Sequence, residues 1–487
     1  MVFSSNVFLL YFMPIFFLVY FILPKKTRNY FLLIASLFFY AWGAPEFIIH
    51  LVVSTILNFF LVKWMCKTEK PGLKKLLCGL SIAIPLGLLL FYKYGNFTME
   101  NLNAMLKWMG FQKVGWTKIL LPIGISFFSF QSVTYTLDTY RGVNKPMERL
   151  TDFMLYITMF PQLIAGPIVR YCDVADQIRT REAGMADRLQ GFYRFVIGLC
   201  KKILIADVVS LRVDAILGPV ALDPSDVGDV LARLSTLDTG TAWVVALAYA
   251  FQIYFDFAGY SDMAIGLGRI MGFKFPENFN NPYTSRSITE FWRRWHMTLG
   301  AFIKNYLYIP LGGNRKGKAH TYLNLWICFL LSGLWHGASW NFVVWGALHG
   351  FFIVIEKMFK VNRKKLSTFN SQLSTLLTFL LVTVIWMFFR IENLHLAWTF
   401  VTRLFAFDFS SFALDGNAHF YTIMVIAAFF SFFTLTKWGR KVEQWVYYTE
   451  YNHWQHLVVW VVMALAYVYC VAALNASAFS PFIYFRF

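Results

Sequence analysis

The chain reads as an all-α polytopic membrane protein, and two observations carry that expectation. Of its 487 residues, 58% are hydrophobic and only 14% are charged, a balance that no water-soluble domain needs. Apolar runs of roughly 18 residues or more, long enough to cross about 30 Å of hydrocarbon, recur from one end to the other. No low-complexity tract, long linker or internal repeat interrupts them, so a single membrane domain over residues 1–487 is the simplest parse.

In chain order, spans are expected near Val7 to Leu23, Tyr30 to Trp42, Glu46 to Trp64, Leu76 to Phe91, Ile119 to Leu137, Phe153 to Ile168, Phe192 to Val209 and Ala242 to Ile270. Further spans follow near Tyr322 to Asn341, Trp345 to Phe359, Leu373 to Phe389, Phe420 to Phe433 and Leu457 to Leu474. The first has no basic stretch before it and no small-residue cleavage site after it, so it reads as a retained span and not a signal peptide. Phe153 to Ile168 carries Pro161, Gly166 and Pro167, which break helices and suggest a re-entrant segment buried in protein or lining a cavity. Trp345 to Phe359 is short, and the expected total is about 11 transmembrane helices.

One stretch differs in character. From Ile288 to Pro310, Ile288, Phe291, Trp292, Trp295, Leu299, Phe302, Ile303 and Tyr306 recur at helical spacing, with Glu290, Arg293, Arg294, Lys304 and Asn305 off that stripe. This predicts one amphipathic helix at the membrane interface, or dipping into the protein from it.

The formal charge of +18 would point to nucleic acid in a soluble protein. In a membrane protein, Lys and Arg gathered in short cytoplasmic connections explain it more simply, and no nucleic-acid partner is expected. The clusters are Lys25 to Arg28, Lys63 to Lys75, Arg141 to Arg149, Arg170 to Arg194, Arg286 to Arg294, Arg315 to Lys318, Lys357 to Lys365 and Lys437 to Lys441. Placing them inside puts the loops Asp223 to Asp238 and Phe405 to His419, and the N-terminus, outside. The same basic surface suits an anionic acyl donor. Cys66, Cys78, Cys172, Cys200, Cys328 and Cys470 show no C-x-x-C spacing, so neither a disulfide framework nor a metal site is expected.

Ionisable groups inside apolar runs are the candidates for chemistry. His336 lies in Leu334-Trp335-His336-Gly337-Ala338-Ser339-Trp340, and on a continuous helix Ser332, Ser339 and Trp340 would share its face. A neutral imidazole there suits a general base, while a histidine that hydrogen-bonds across helices is the alternative. His296, one turn from Trp292, is a second candidate, with an interfacial histidine bonded to a neighbour as its alternative. Asp256 and Asp262 in Tyr254-Phe255-Asp256-Phe257-Ala258-Gly259-Tyr260-Ser261-Asp262 should find partners in the bundle, with the Arg286 to Arg294 cluster expected to supply them. Asn278, Asn280 and Asn281 follow just downstream.

Taken together these segments resemble the membrane-bound O-acyltransferase family, and most closely its bacterial branch of alginate O-acetyltransferase membrane subunits and D-alanyl transferases. The resemblance rests on Met1 to Asn6, Leu121 to Phe127, Met159 to Ile168, Asp256 to Asp262, Trp292-Arg293-Arg294-Trp295-His296, Leu334 to Gly337 and Pro481 to Phe487, in one order over nearly the whole chain. It implies that His336 is the catalytic histidine and His296 the second histidine of the motif, on the cytoplasmic side of one tunnel within a ring of helices. Asp256, Asp262, Asn280, Asn281, Arg293, Arg294, Ser332, Trp335 and Ser339 are then candidates for the tunnel and substrate contacts.

The resemblance further implies an O-acetyltransferase with no bound cofactor, using acetyl-coenzyme A or an acylated carrier protein as donor. Its acceptor would be a hydroxyl of an exported, alginate-like polysaccharide, reached directly or through an extracytoplasmic acetyltransferase partner. The setting would be a bacterial inner membrane. Transfer of D-alanine or another acyl group to teichoic acid is the alternative within the class, and a polytopic transporter with structural histidines is the alternative outside it.

Overall fold

A computed structural model gives the fold and describes residues 1–219, 226–359, 368–409, 417–476 and 482–483. Expectations on Pro481 and Tyr484 to Phe487, and on parts of the 223–238, 357–365 and 405–419 stretches, lie outside the described residues. The described residues fold into helices joined by loops, with no strand among them. They form two compact units, one of Met1–Phe192 with Ala264–Pro276, the other of Tyr193–Met263 with Glu277–Phe487.

The first unit contains α1 (Val7–Ile22), α2 (Arg28–Gly43), α3 (Pro45–Lys67), α4 (Pro71–Trp108), α5 (Ile125–Tyr140), α6 (Leu150–Thr158), α7 (Phe160–Leu163) and α8 (Tyr171–Arg179). Rings of Phe3, Phe8, Phe12, Phe16 and Phe39 gather around Phe160, with centroids 5.1–6.4 Å from it. The break expected in Phe153 to Ile168 falls at Met159, between α6 and α7. Residues 159–169 are buried, as backbone broken at depth must be, and Gln162 Nε2 donates to the Tyr156 carbonyl at 2.5 Å. Beyond α4, residues 109–118 are exposed and fold back on the helix. There the Asn103 side-chain amide donates to the Val114 carbonyl and accepts from the Val114 N–H, and Asn96 Oδ1 accepts from the Trp116 indole at 3.0 Å.

The second unit begins within α9 (Met185–Cys200), which passes through a π-helical turn, Lys201–Ala206, into α10 (Asp207–Leu217). After α11 (Val227–Ser235) comes α12 (Thr239–Ile270), at 32 residues a largely buried span whose residues from Ala264 on belong to the first unit. Two seven-residue helices follow, α13 (Ile288–Arg294) and α14 (Met297–Ile303), then α15 (Gly317–His336) and α16 (Trp340–Met358). The unit continues with α17 (Thr368–Arg390), α18 (Leu394–Arg403), α19 (Ala418–Phe432), α20 (Lys437–Tyr448) and α21 (His453–Ala476).

Seven described helices are long and apolar enough to cross a bilayer: α3, α4, α12, α16, α17, α19 and α21. The apolar α1, and α2 and α5 at 16 residues each, are shorter. The chain is thus a helical, multi-pass membrane protein.

Candidate active site

His336 is the last residue of α15 and is buried. The helix stops there because Gly337 turns extended (φ −164°, ψ 151°), and α16 restarts at Trp340. This corrects the sequence reading, in which Ser339 and Trp340 shared a helix with His336. Only Ser332, one turn back on α15, keeps that relation, while Ser339 sits at the N-cap of α16 and Trp340 is exposed. The two helices pack at close range through Gly333 and Gly346. A Cβ on Gly333 would strike the Phe342 carbonyl, and one on Gly346 the Phe329 carbonyl, so only glycine allows the approach. The result is a ring-lined pocket for His336, with Trp335, Trp345 and Phe389 centroids at 4.8, 5.1 and 5.2 Å.

The stretch carrying His296 is not one amphipathic helix. It breaks at Trp295, and His296 takes a left-handed conformation (φ 45°, ψ 53°) as the N-cap of α14. A non-glycine residue there costs about 1–3 kcal/mol and persists only where the surroundings enforce it. Here they do, because Met297 N donates to Asn278 O at 2.9 Å, and His296 Nδ1 lies 2.9 Å from Asn278 Oδ1. Asn278 is itself fixed: its amide donates to Ser261 Oγ at 3.0 Å, and its Oδ1 also accepts from Thr298 at 2.9 Å. With Nδ1 as the donor to Asn278, His296 Nε2 carries the lone pair. Nε2 is buried without a hydrogen-bond partner among the described residues, and burial pushes the imidazole pKa down to about 3. His296 is therefore a neutral, oriented imidazole, its ring 5.9 Å from that of Trp335, which adjoins His336.

A cavity of about 860 Å³ lies in this unit, lined by Trp292, Cys328, Phe329 and Ser332 and by the cations Arg286, Arg293, Arg294, Lys304 and Lys357. Its position is set by α13. Ser287 caps that helix by accepting from Glu290 N at 3.0 Å, and both Glu356 oxygens on α16 accept from Ile288 N and Thr289 N at 2.8 and 2.9 Å. Basic residues thus line the same cavity as Ser332, one helical turn from His336.

The buried carboxylates are ion-paired, as expected, but with different partners. Asp262 meets Arg194 and Lys201, each at 2.6 Å, and Asp256 meets Lys202 at 2.9 Å. The Arg286 to Arg294 cluster supplies neither, since Arg294 binds its own helix neighbour Glu290 at 2.7 Å and Arg293 is exposed in the cavity wall. Lys201 and Lys202 stand in the π-helical turn of a run read as purely membrane-spanning. Asp256 Oδ2 also accepts from Ile483 N at 2.7 Å, and Phe482 stacks on Tyr260 at 4.5 Å, which seats those two residues inside the unit. Asn281 binds Glu443 at 2.6 Å and Asn280 is exposed, so neither reaches the histidines. Among the described residues no cluster could hold a metal ion.

Sequence reasoning passed over His349. It is wholly buried on α16 and accepts from the Trp292 indole at 3.2 Å. The rule that flags an ionisable residue in an apolar run, applied to α16, would have found it.

Residues 85–398 match the sequence profile of the membrane-bound O-acyltransferase family. The chain belongs to that family. It is 39% identical to a probable alginate O-acetylase of Pseudomonas putida over the full length of both chains. It is 36% identical to a peptidoglycan O-acetyltransferase of Helicobacter pylori, over 82% of this chain and 78% of that one. A teichoic acid D-alanyltransferase of Bacillus subtilis is 28% identical over 54% of this chain and 65% of its own. The protein is thus a membrane-bound acyltransferase, which sets aside the transporter alternative.

Proposed function

We propose that this membrane-bound O-acyltransferase acetylates hydroxyls of an exported polysaccharide, taking the acetyl group from a cytoplasmic thioester. The observation that carries this reading is the cavity, whose lining holds five cations against the two carboxylates Glu290 and Glu356 and includes Ser332, one turn from His336. Acetyl-coenzyme A or an acylated carrier protein would dock its phosphates on those cations, with no cofactor held by the enzyme. His336 takes the proton of the acceptor hydroxyl as its oxygen attacks the thioester carbonyl, the C–S bond breaks, and the proton passes to the departing thiolate. His296, oriented by Asn278, acts as a second base on the cytoplasmic side of the same tunnel. Similarity to O-acetylases over most of the chain favours acetate, whereas the D-alanyltransferase similarity covers about half.

The N-terminus would lie outside a bacterial inner membrane, with the basic connections in the cytoplasm. The acceptor is reached directly or through an extracytoplasmic acetyltransferase. The test measures ester-linked acetate on exported polysaccharide in cells carrying wild type, His336→Ala or His296→Ala, with the membrane abundance of each. Loss of acetate at unchanged abundance supports the reading. Acetate that persists in the His336→Ala strain removes His336 from the mechanism.

A further inference from the structure

We propose that His349 is a positioning residue, whose Nδ1 holds the Trp292 indole as a fixed part of the donor cavity wall. The proposal rests on the reading that this cavity admits the acyl thioester. Trp292 lines the cavity, whereas His349 lies behind it on α16.

An indole N–H can only donate, so the 3.2 Å contact makes His349 Nδ1 the acceptor and places the ring proton on Nε2. The imidazole is clamped in that orientation. Phe291 is near parallel to it at 8°, and Trp292 and Trp345 meet it edge-on, both with centroids at 5.0 Å. Trp345 in turn stands 5.1 Å from His336, so four rings, Trp292, His349, Trp345 and His336, run in sequence from the cavity wall to the candidate base.

Nε2 finds no acceptor among the described residues. A buried donor left unmet costs about 1–3 kcal/mol, a cost that phenylalanine or leucine would avoid. Packing alone therefore does not account for a histidine at 349. Its acceptor nitrogen does, because Trp292 would otherwise carry a second buried N–H with nothing to bind and would be free to turn into the space the donor needs.

The test uses membrane vesicles carrying the full chain, titrated with radiolabelled acetyl-coenzyme A and read as acetate incorporated into polymer. His349→Leu and Trp292→Phe should each raise the half-saturating concentration about tenfold, with a smaller effect on the maximal rate. The double variant should be no worse than either single one, since both remove the same bond. His349→Asn, whose side-chain oxygen can take the place of Nδ1, should restore the value to within about threefold of wild type. Multiplicative effects in the double variant would overturn the proposal. So would an unchanged half-saturating concentration in His349→Leu accompanied only by lower abundance or melting temperature. Wild-type vesicles that transfer no acetate from either acetyl-coenzyme A or an acetylated carrier protein, or a His336→Ala variant that still does, would instead sink the functional reading itself.

Discussion

His296 Nδ1 stands 2.9 Å from Asn278 Oδ1, and this contact decides which nitrogen of a buried ring keeps its lone pair. The amide oxygen also accepts from Thr298, and the amide nitrogen is committed to Ser261, so the asparagine cannot turn without breaking three bonds. Asn278→Leu removes the acceptor and frees both tautomers. Acetate transfer should fall about a hundredfold, the scale of general-base catalysis, with membrane abundance largely kept. Asn278→Asp, which still accepts at that point, should lose less.

The Lys202 and Asp256 pair makes a stability prediction. Both side chains are buried, with Nζ and Oδ1 at 2.9 Å. Lys202→Met strands a buried carboxylate and should cost about 3–5 kcal/mol. In detergent this appears as a lower unfolding temperature than wild type. The double variant Lys202→Met with Asp256→Asn should recover only part of the loss, because it neutralises the carboxylate at 256 while Asp207, also bound to Lys202 at 2.7 Å, keeps its charge.

Arg293 and Lys304 line the cavity and make the mouth attractive to anions. Replacing either by alanine should raise the half-saturating donor concentration about threefold at low salt while leaving the maximal rate near wild type. Raising ionic strength to about 1 M, where the screening length is about 3 Å, should erase the difference. An effect that survives high salt would mean that these side chains contribute shape and not charge.

Burial of His296 also sets a pH dependence. Its folded pKa is lowered to about 3, against an ordinary value near 6.5, so between those limits the unfolded chain binds a proton that the folded chain does not. Stability contributed at this site is complete above about pH 6.5 and declines as pH falls. From pH 6.5 to 5 the loss should be about 2 kcal/mol. Unfolding temperatures of wild type and His296→Gln across that range should show the steeper decline in wild type.

The helical architecture was legible because apolar length reports on the bilayer directly, and the Pro161 and Pro167 break in Met159 to Ile168 was legible because proline acts locally. Both histidines were visible as ionisable groups out of place. What the sequence concealed depends on contacts between residues far apart in the chain. Nothing near Asp256 names Lys202, 54 positions away, as its partner. The stripe from Ile288 to Tyr306 is good helical periodicity, yet the backbone at His296 reverses because Asn278 claims both its ring and the following amide. Past the end of α15, likewise, the Phe342 ring on the next helix occupies the space a side chain at 337 would need, so only glycine fits there. Local patterns locate these residues, and tertiary contacts give them their geometry.

The length of α4 has a practical consequence. At 1.5 Å per residue its 38 residues, which pass Pro85 and a π-helical turn at Leu90–Tyr94, extend at most about 57 Å, well beyond the roughly 30 Å of a bilayer's apolar layer. The exposed stretch at 109–118 that follows is tied to its own helix by Asn96 and Asn103, and it belongs to the unit that holds neither His296 nor His336. It is a natural handle: an epitope or a single reactive cysteine placed at Lys113 would report from which side of the membrane the chain is touched, in an enzyme whose catalytic residues are unaltered.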